Sequence, residues 1–74
     1  MSVGDLDALI GRLLPQVLAD RDLGDGRSFT RLHLNRLWAL SCLQAGECFD
    51  QELLVARVAN HLPPQVRFAR EAAA

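Results

Sequence analysis

Apolar residues recur along the first twenty positions with the period of a helix. Leu6, Leu9, Ile10, Leu13, Leu14, Val17 and Leu18 fall at i, i+3, i+4, i+7, i+8, i+11 and i+12, which predicts one amphipathic helix over roughly residues 3–21. Ser2 is suited to cap its start, and Asp5, three residues later, favours the positive end of the helix dipole. Pro15 interrupts the pattern: its missing N–H and its clash with the carbonyl of Gly11 predict a kink. The apolar stripe keeps phase across the proline, so one kinked helix is expected and not two. The turn formers of DLGDGRS, Asp22 to Ser28, end it.

The second segment, FTRLHLNRLWALSCLQA over 29–45, is apolar around nearly its whole circumference. One stripe holds Phe29, Leu32, Leu40 and Leu43, another holds Leu34, Trp38, Cys42 and Ala45, and Leu37 bridges them. Ser28 or Thr30 offers a cap, and Gly46 sits where a left-handed terminating residue belongs. Such a helix must be covered on both sides, by its own chain or by another. Leu34, Leu37, Trp38, Ser41, Cys42 and Ala45 form an arc without charge and are assigned to the chain's own core, facing Leu9, Leu13 and Leu54. Arg36 projects from the middle of the other arc. A charge is costly in a core, whereas Arg among apolar groups is common in interfaces. Phe29, Leu32, Arg36, Leu40 and Leu43 are therefore the expected partner-binding surface.

A third helix is predicted over 50–62, with Asp50 as its cap and Gln51 and Glu52 in its first turn. Phe49 and Leu54 have the spacing of a hydrophobic staple, and Leu54, Val55, Val58, Ala59 and Leu62 make the buried stripe. Pro63-Pro64 stops it. The remaining residues predict a short helical tail over 64–72, docked by Val66, Phe68 and Ala69. The expected fold is all-α: a small bundle of three helices plus that tail, one domain spanning 1–74.

Composition narrows the partners. Half of the 74 residues are hydrophobic, too many for a disordered tail, yet a domain this short buries only about 60% of the surface its unfolded chain exposes. No run of about 18 uncharged apolar residues is present to span a membrane. Acids stand at the N-terminus where a secretory signal carries bases, and two cysteines are too few for a disulfide framework, so a reducing cytoplasm is expected. The net charge of −1 provides no global field for nucleic acid. All eight basic residues are Arg, which a GC-rich bacterial genome explains.

Candidate chemistry is sparse. Asp20, Asp22 and Asp25 with Gly24 and Gly26 lack the closing Glu of a calcium loop, and no phosphate-cradling Gly-x-x-x-x-Gly-Lys pattern surrounds Arg27. His33, Cys42, Cys48 and His61 are not spaced in the close pairs of a zinc site; Cys42 reads as a small core residue and Cys48 as a loop residue beside the staple. No nucleophile elbow and no acid pair in an apolar stretch is present, so no enzyme, cofactor, metal or small-molecule substrate is expected. The predicted second and third helices resemble a helix-turn-helix DNA reader in outline. Arg57 is the only base on the third helix, however, and the turn Gly46–Asp50 is acidic and long. Ten residues, HLPPQVRFAR, are similar to the C-terminal end of the small enterobacterial nucleoid-associated modulators of the Hha/YmoA type, which act by binding a DNA-binding partner protein. The rest of the chain does not match, and no residue role is carried over. The expected function is non-enzymatic: an adaptor, chaperone or regulatory subunit docking an apolar helix face on a protein partner or on itself as a homodimer.

Overall fold

A computed structural model describes residues 2–20 and 28–68. Three helices, α1 (Val3–Asp20), α2 (Arg31–Ala45) and α3 (Gln51–Val58), make up most of it, so the fold is all-α. The expected end of α1 at Arg21, the aspartates of its following loop and the tail beyond Phe68 lie outside the described residues.

Each helix begins where a side chain satisfies its first free amides. Ser2 Oγ accepts from the Asp5 N–H at 3.1 Å, and the Asp5 carboxylate accepts from the Ser2 N–H at 3.3 Å. Hydrogen bonding from the Ser2 side chain first, then from its backbone N–H, holds the Asp5 carboxyl below its usual range. α1 then runs unbroken through Pro15. Gly11 and Pro15 are both exposed, so the carbonyl that loses its donor stays within reach of water. Thr30 is the cap of α2, and its reciprocal partner at N3 is His33. Thr30 Oγ1 accepts from the His33 N–H at 3.4 Å, while His33 Nδ1 accepts from the Thr30 N–H at 3.1 Å. Gly46, at φ 77°, terminates α2 in the left-handed region that a side chain disfavours. Asp50 caps α3 through the Glu52 N–H at 2.9 Å.

Two expectations fail at the C-terminal side. α3 ends at Val58, four residues short of Leu62. The Asn60 and His61 N–H groups bond the carbonyls of Arg57 and Val58, three residues back, and this tighter winding closes the helix before the prolines. Residues 64–68 do not open a fourth helix. The Val66 N–H bonds the Pro63 carbonyl at 2.9 Å, so Pro64 presets a turn and not a helix start. Val66 is buried, and the next two residues form β2 (Arg67–Phe68), paired in parallel with β1 (Ser28–Phe29) in the register Ser28↔Arg67, Phe29↔Phe68. Phe29 thereby leaves the predicted helix for the strand before it.

The core is the α1 stripe of Leu6, Leu9, Ile10, Leu13, Leu14 and Val17 closed over Phe29, Leu34, Leu37, Leu54, Val58 and Val66. Leu18, Trp38, Leu40, Ala45, Phe49 and Leu62 pack around it half-buried. Ser41 sits on the inner side of α2, fully buried, and its hydroxyl has no hydrogen-bond partner among the described residues. A buried hydroxyl without a partner carries its desolvation cost uncompensated. Ser41→Ala should therefore raise stability by about 1 kcal/mol, read as a higher melting temperature. A lower one would show that the hydroxyl is bonded.

An ion pair ties α3 to α1. Arg57 Nε donates to Asp7 Oδ1 at 2.9 Å and its Nη2 to Oδ2, and His61 Nε2 lies 3.2 Å from Oδ1. The Arg57 hydrogen bond first, then that of His61, lowers the Asp7 carboxyl from 3.8 to about 2. The folded value lies below the unfolded one, so this contribution is complete above the ordinary carboxylate range and is lost as pH falls from there toward 2. The urea midpoint should drop across that window in the wild type and drop less in Asp7→Asn. Parallel profiles would exclude Asp7 as the titrating group.

No helix among the described residues is long and apolar enough to cross a membrane.

Candidate docking face

α1 and α3 both press on one side of α2. His33, Leu34, Leu37 and Ser41 are buried there, and Trp38 and Ala45 are half-buried at its margin. Trp38 Nε1 also donates to the Phe49 carbonyl at 3.1 Å, which holds the loop after α2 against the helix. The arc assigned to the core in the sequence is thus turned inward, with Cys42 half-buried at its edge.

The opposite side of α2 carries Leu32, Arg36, Ala39 and Leu43, at i, i+4, i+7 and i+11. Leu32 is 61% exposed and Leu43 77%, and Arg36 and Ala39 are exposed between them. At about 1.5 Å rise per residue the two leucines stand roughly 16 Å apart along one line. Asn35 and Gln44 flank the line, and α2 contains Arg31 and Arg36 but no carboxylate. The face is apolar with a basic margin.

Its membership differs from the expected five residues. Leu32, Arg36 and Leu43 lie on it together. Leu40 is half-buried against the core at its edge, and Phe29 is absent from it, being fully buried in β1. Ala39 joins it. The helical period places Ala39 between Leu32 and Leu43, and a small residue there passed unnoticed because it is only weakly hydrophobic.

A second depression lies at the other end of α2. Phe29 and Leu34 floor it, Val55 and Phe68 wall it, and Arg31, Gln51 and Glu52 rim it, enclosing about 290 Å³. That is just below the usual range for small-molecule sites, and the Gln51 amide is already bonded to Asn35 Oδ1 at 2.7 Å.

The four candidate metal ligands separate. His33 is spent on the α2 cap and His61 on Asp7, whereas Cys42 and Cys48 come together where α2 ends. Among the described residues no three His, Cys, Asp or Glu side chains gather as a metal site would require. No protein-family model, no curated protein and no solved structure matches this chain. Any functional reading therefore rests on its own residues.

Proposed function

We propose that this chain is a small non-enzymatic interaction module, an adaptor, chaperone or regulatory subunit, that docks the outer face of α2 on an amphipathic helix of a larger protein. The observation that carries this reading is the exposure of Leu32 and Leu43 on one line of a helix whose other side is fully committed to the core. The face fits a partner helix whose own apolar stripe covers Leu32, Ala39 and Leu43. A second copy of the same face fits less well. Antiparallel pairing of Leu32 with Leu43 across a twofold brings the two Arg36 positions within about 4.5 Å along the axis. Burying both leucines contributes roughly 3–6 kcal/mol, at the low end of what association costs, which suits a transient contact.

The helix-turn-helix alternative loses its main support. Arg57, the base on α3, is engaged by Asp7, and the exposed side chains of α3 are Glu52, Leu53, Val55 and Ala56. These do not neutralise phosphate or read base edges.

A photo-crosslinker placed at position 43 tests the reading in native cells, with the joined peptides sequenced. The expected product is a segment of another protein with helical apolar spacing. A synthetic peptide of that segment should then bind the wild type and lose at least tenfold affinity for Leu43→Glu. Crosslinks only between copies of this chain would replace the partner with a homodimer. Retardation of duplex DNA that weakens steeply with salt would replace it with nucleic acid.

A further inference from the structure

Cys48 stands six positions after Cys42, and the end of α2 lies between them. Gly46 reverses the backbone in the left-handed region, so the chain turns back over the last turn of the helix it has just left. The Trp38 N–H, bonded to the Phe49 carbonyl, keeps the returning strand of loop against α2. As a result Cys42, Cys48 and Trp38 line one hollow, together with Ala39, Leu43, Gly46 and Glu47. Both thiols are free and border the same hollow. Cys48 is exposed and Cys42 half-buried, so a small reagent meets Cys48 first and Cys42 stands behind it.

We propose that Cys42 and Cys48 form a redox-active dithiol site that small-molecule disulfides of the glutathione class convert to an intramolecular disulfide. The Cys48 sulfur, after giving its proton to water, attacks one sulfur of the oxidant, and one thiol is released as the mixed disulfide forms. The Cys42 sulfur, likewise deprotonated, then attacks the Cys48 sulfur and expels the second thiol. Two cysteine thiols and one small disulfide become one protein disulfide and two small thiols, so the protein loses two electrons and two protons and the oxidant gains both. The neighbouring Cys42 thiol first, then burial, pushes the Cys48 thiol up from its ordinary value. Its attack is therefore slow at neutral pH and quickens as pH rises. This inference is independent of the docking reading, because the chemistry is complete within one chain.

Trp38 is the only tryptophan and there is no tyrosine, so intrinsic fluorescence reports on the hollow directly. Reduced protein equilibrated in buffers of reduced and oxidised glutathione should lose about two mass units in intact mass spectrometry, with dithiothreitol restoring them. Trp38 emission should fall in step, since a disulfide beside an excited indole accepts its electron. Cys42→Ser and Cys48→Ser should each abolish both changes while keeping the helical circular dichroism. The same equilibration in concentrated urea separates the fold from mere sequence proximity. If the folded loop holds the thiols together, the folded protein should favour the disulfide at least tenfold more than the unfolded chain. A smaller ratio, a persistent mixed disulfide on Cys48, or disulfide-linked dimers in place of the closed pair would each overturn the proposal.

Discussion

Phe29→Ala should remove about half of the protein's stability and lower its urea midpoint accordingly. Phe29 is fully buried although it stands in a two-residue strand just before α2. Its ring meets the Phe68 ring edge-on at 5.6 Å and the His33 ring at 5.5 Å. It therefore bridges the strand pair, the cap of α2 and the core. Replacing a buried Phe by Ala costs about 3–5 kcal/mol, against roughly 4–11 kcal/mol of total stability expected for a domain of this length. Urea titration followed by helical circular dichroism measures the loss. A cost under about 1 kcal/mol would put Phe29 on the surface, where a helical stripe running from residue 29 would place it.

Leu37→Glu and Leu43→Glu should have opposite outcomes, although the substitution is the same and both residues lie on α2. Leu37 is 0% exposed, in the middle of the core. A carboxylate there has no partner, and burying it costs several kcal/mol or forces it to take up a proton, enough to unfold the chain. Leu43 is 77% exposed, so Glu meets water and stability should change by no more than about 0.5 kcal/mol. Circular dichroism with thermal melting separates the two variants in one experiment. Retention of structure in Leu37→Glu with unfolding in Leu43→Glu would mean that the inner and outer faces of α2 are exchanged.

The helices were readable in the chain because their causes are local. A run of seven apolar residues at helical spacing specifies α1 whatever surrounds it, and Leu6 to Val17 indeed form half of the core. Ser2, Thr30 and Asp50 cap their helices through amides two or three residues away, and Gly46 ends α2 by its own backbone preference. His33 completes a cap where Glu or Gln is usual, so its residue type gives no sign of that role.

Pattern alone left the direction of α2 ambiguous, because leucines surround it on every side. Burial resolves it: α1 and α3 cover the side of Leu34, Leu37 and Ser41, which leaves Leu32, Ala39 and Leu43 outside. Phe29 fell on the outer stripe only under the assumption that the helix begins there, and capping by Thr30 removes it from the helix altogether. The pairing of Ser28–Phe29 with Arg67–Phe68, the Asp7–Arg57 pair fifty residues apart, and the closeness of Cys42 to Cys48 over a reversed loop leave no local trace. Helical period and capping act within about four residues, so they specify the elements. Which faces meet, which residues are left to solvent and which thiols become neighbours depends on how those elements close around a shared core.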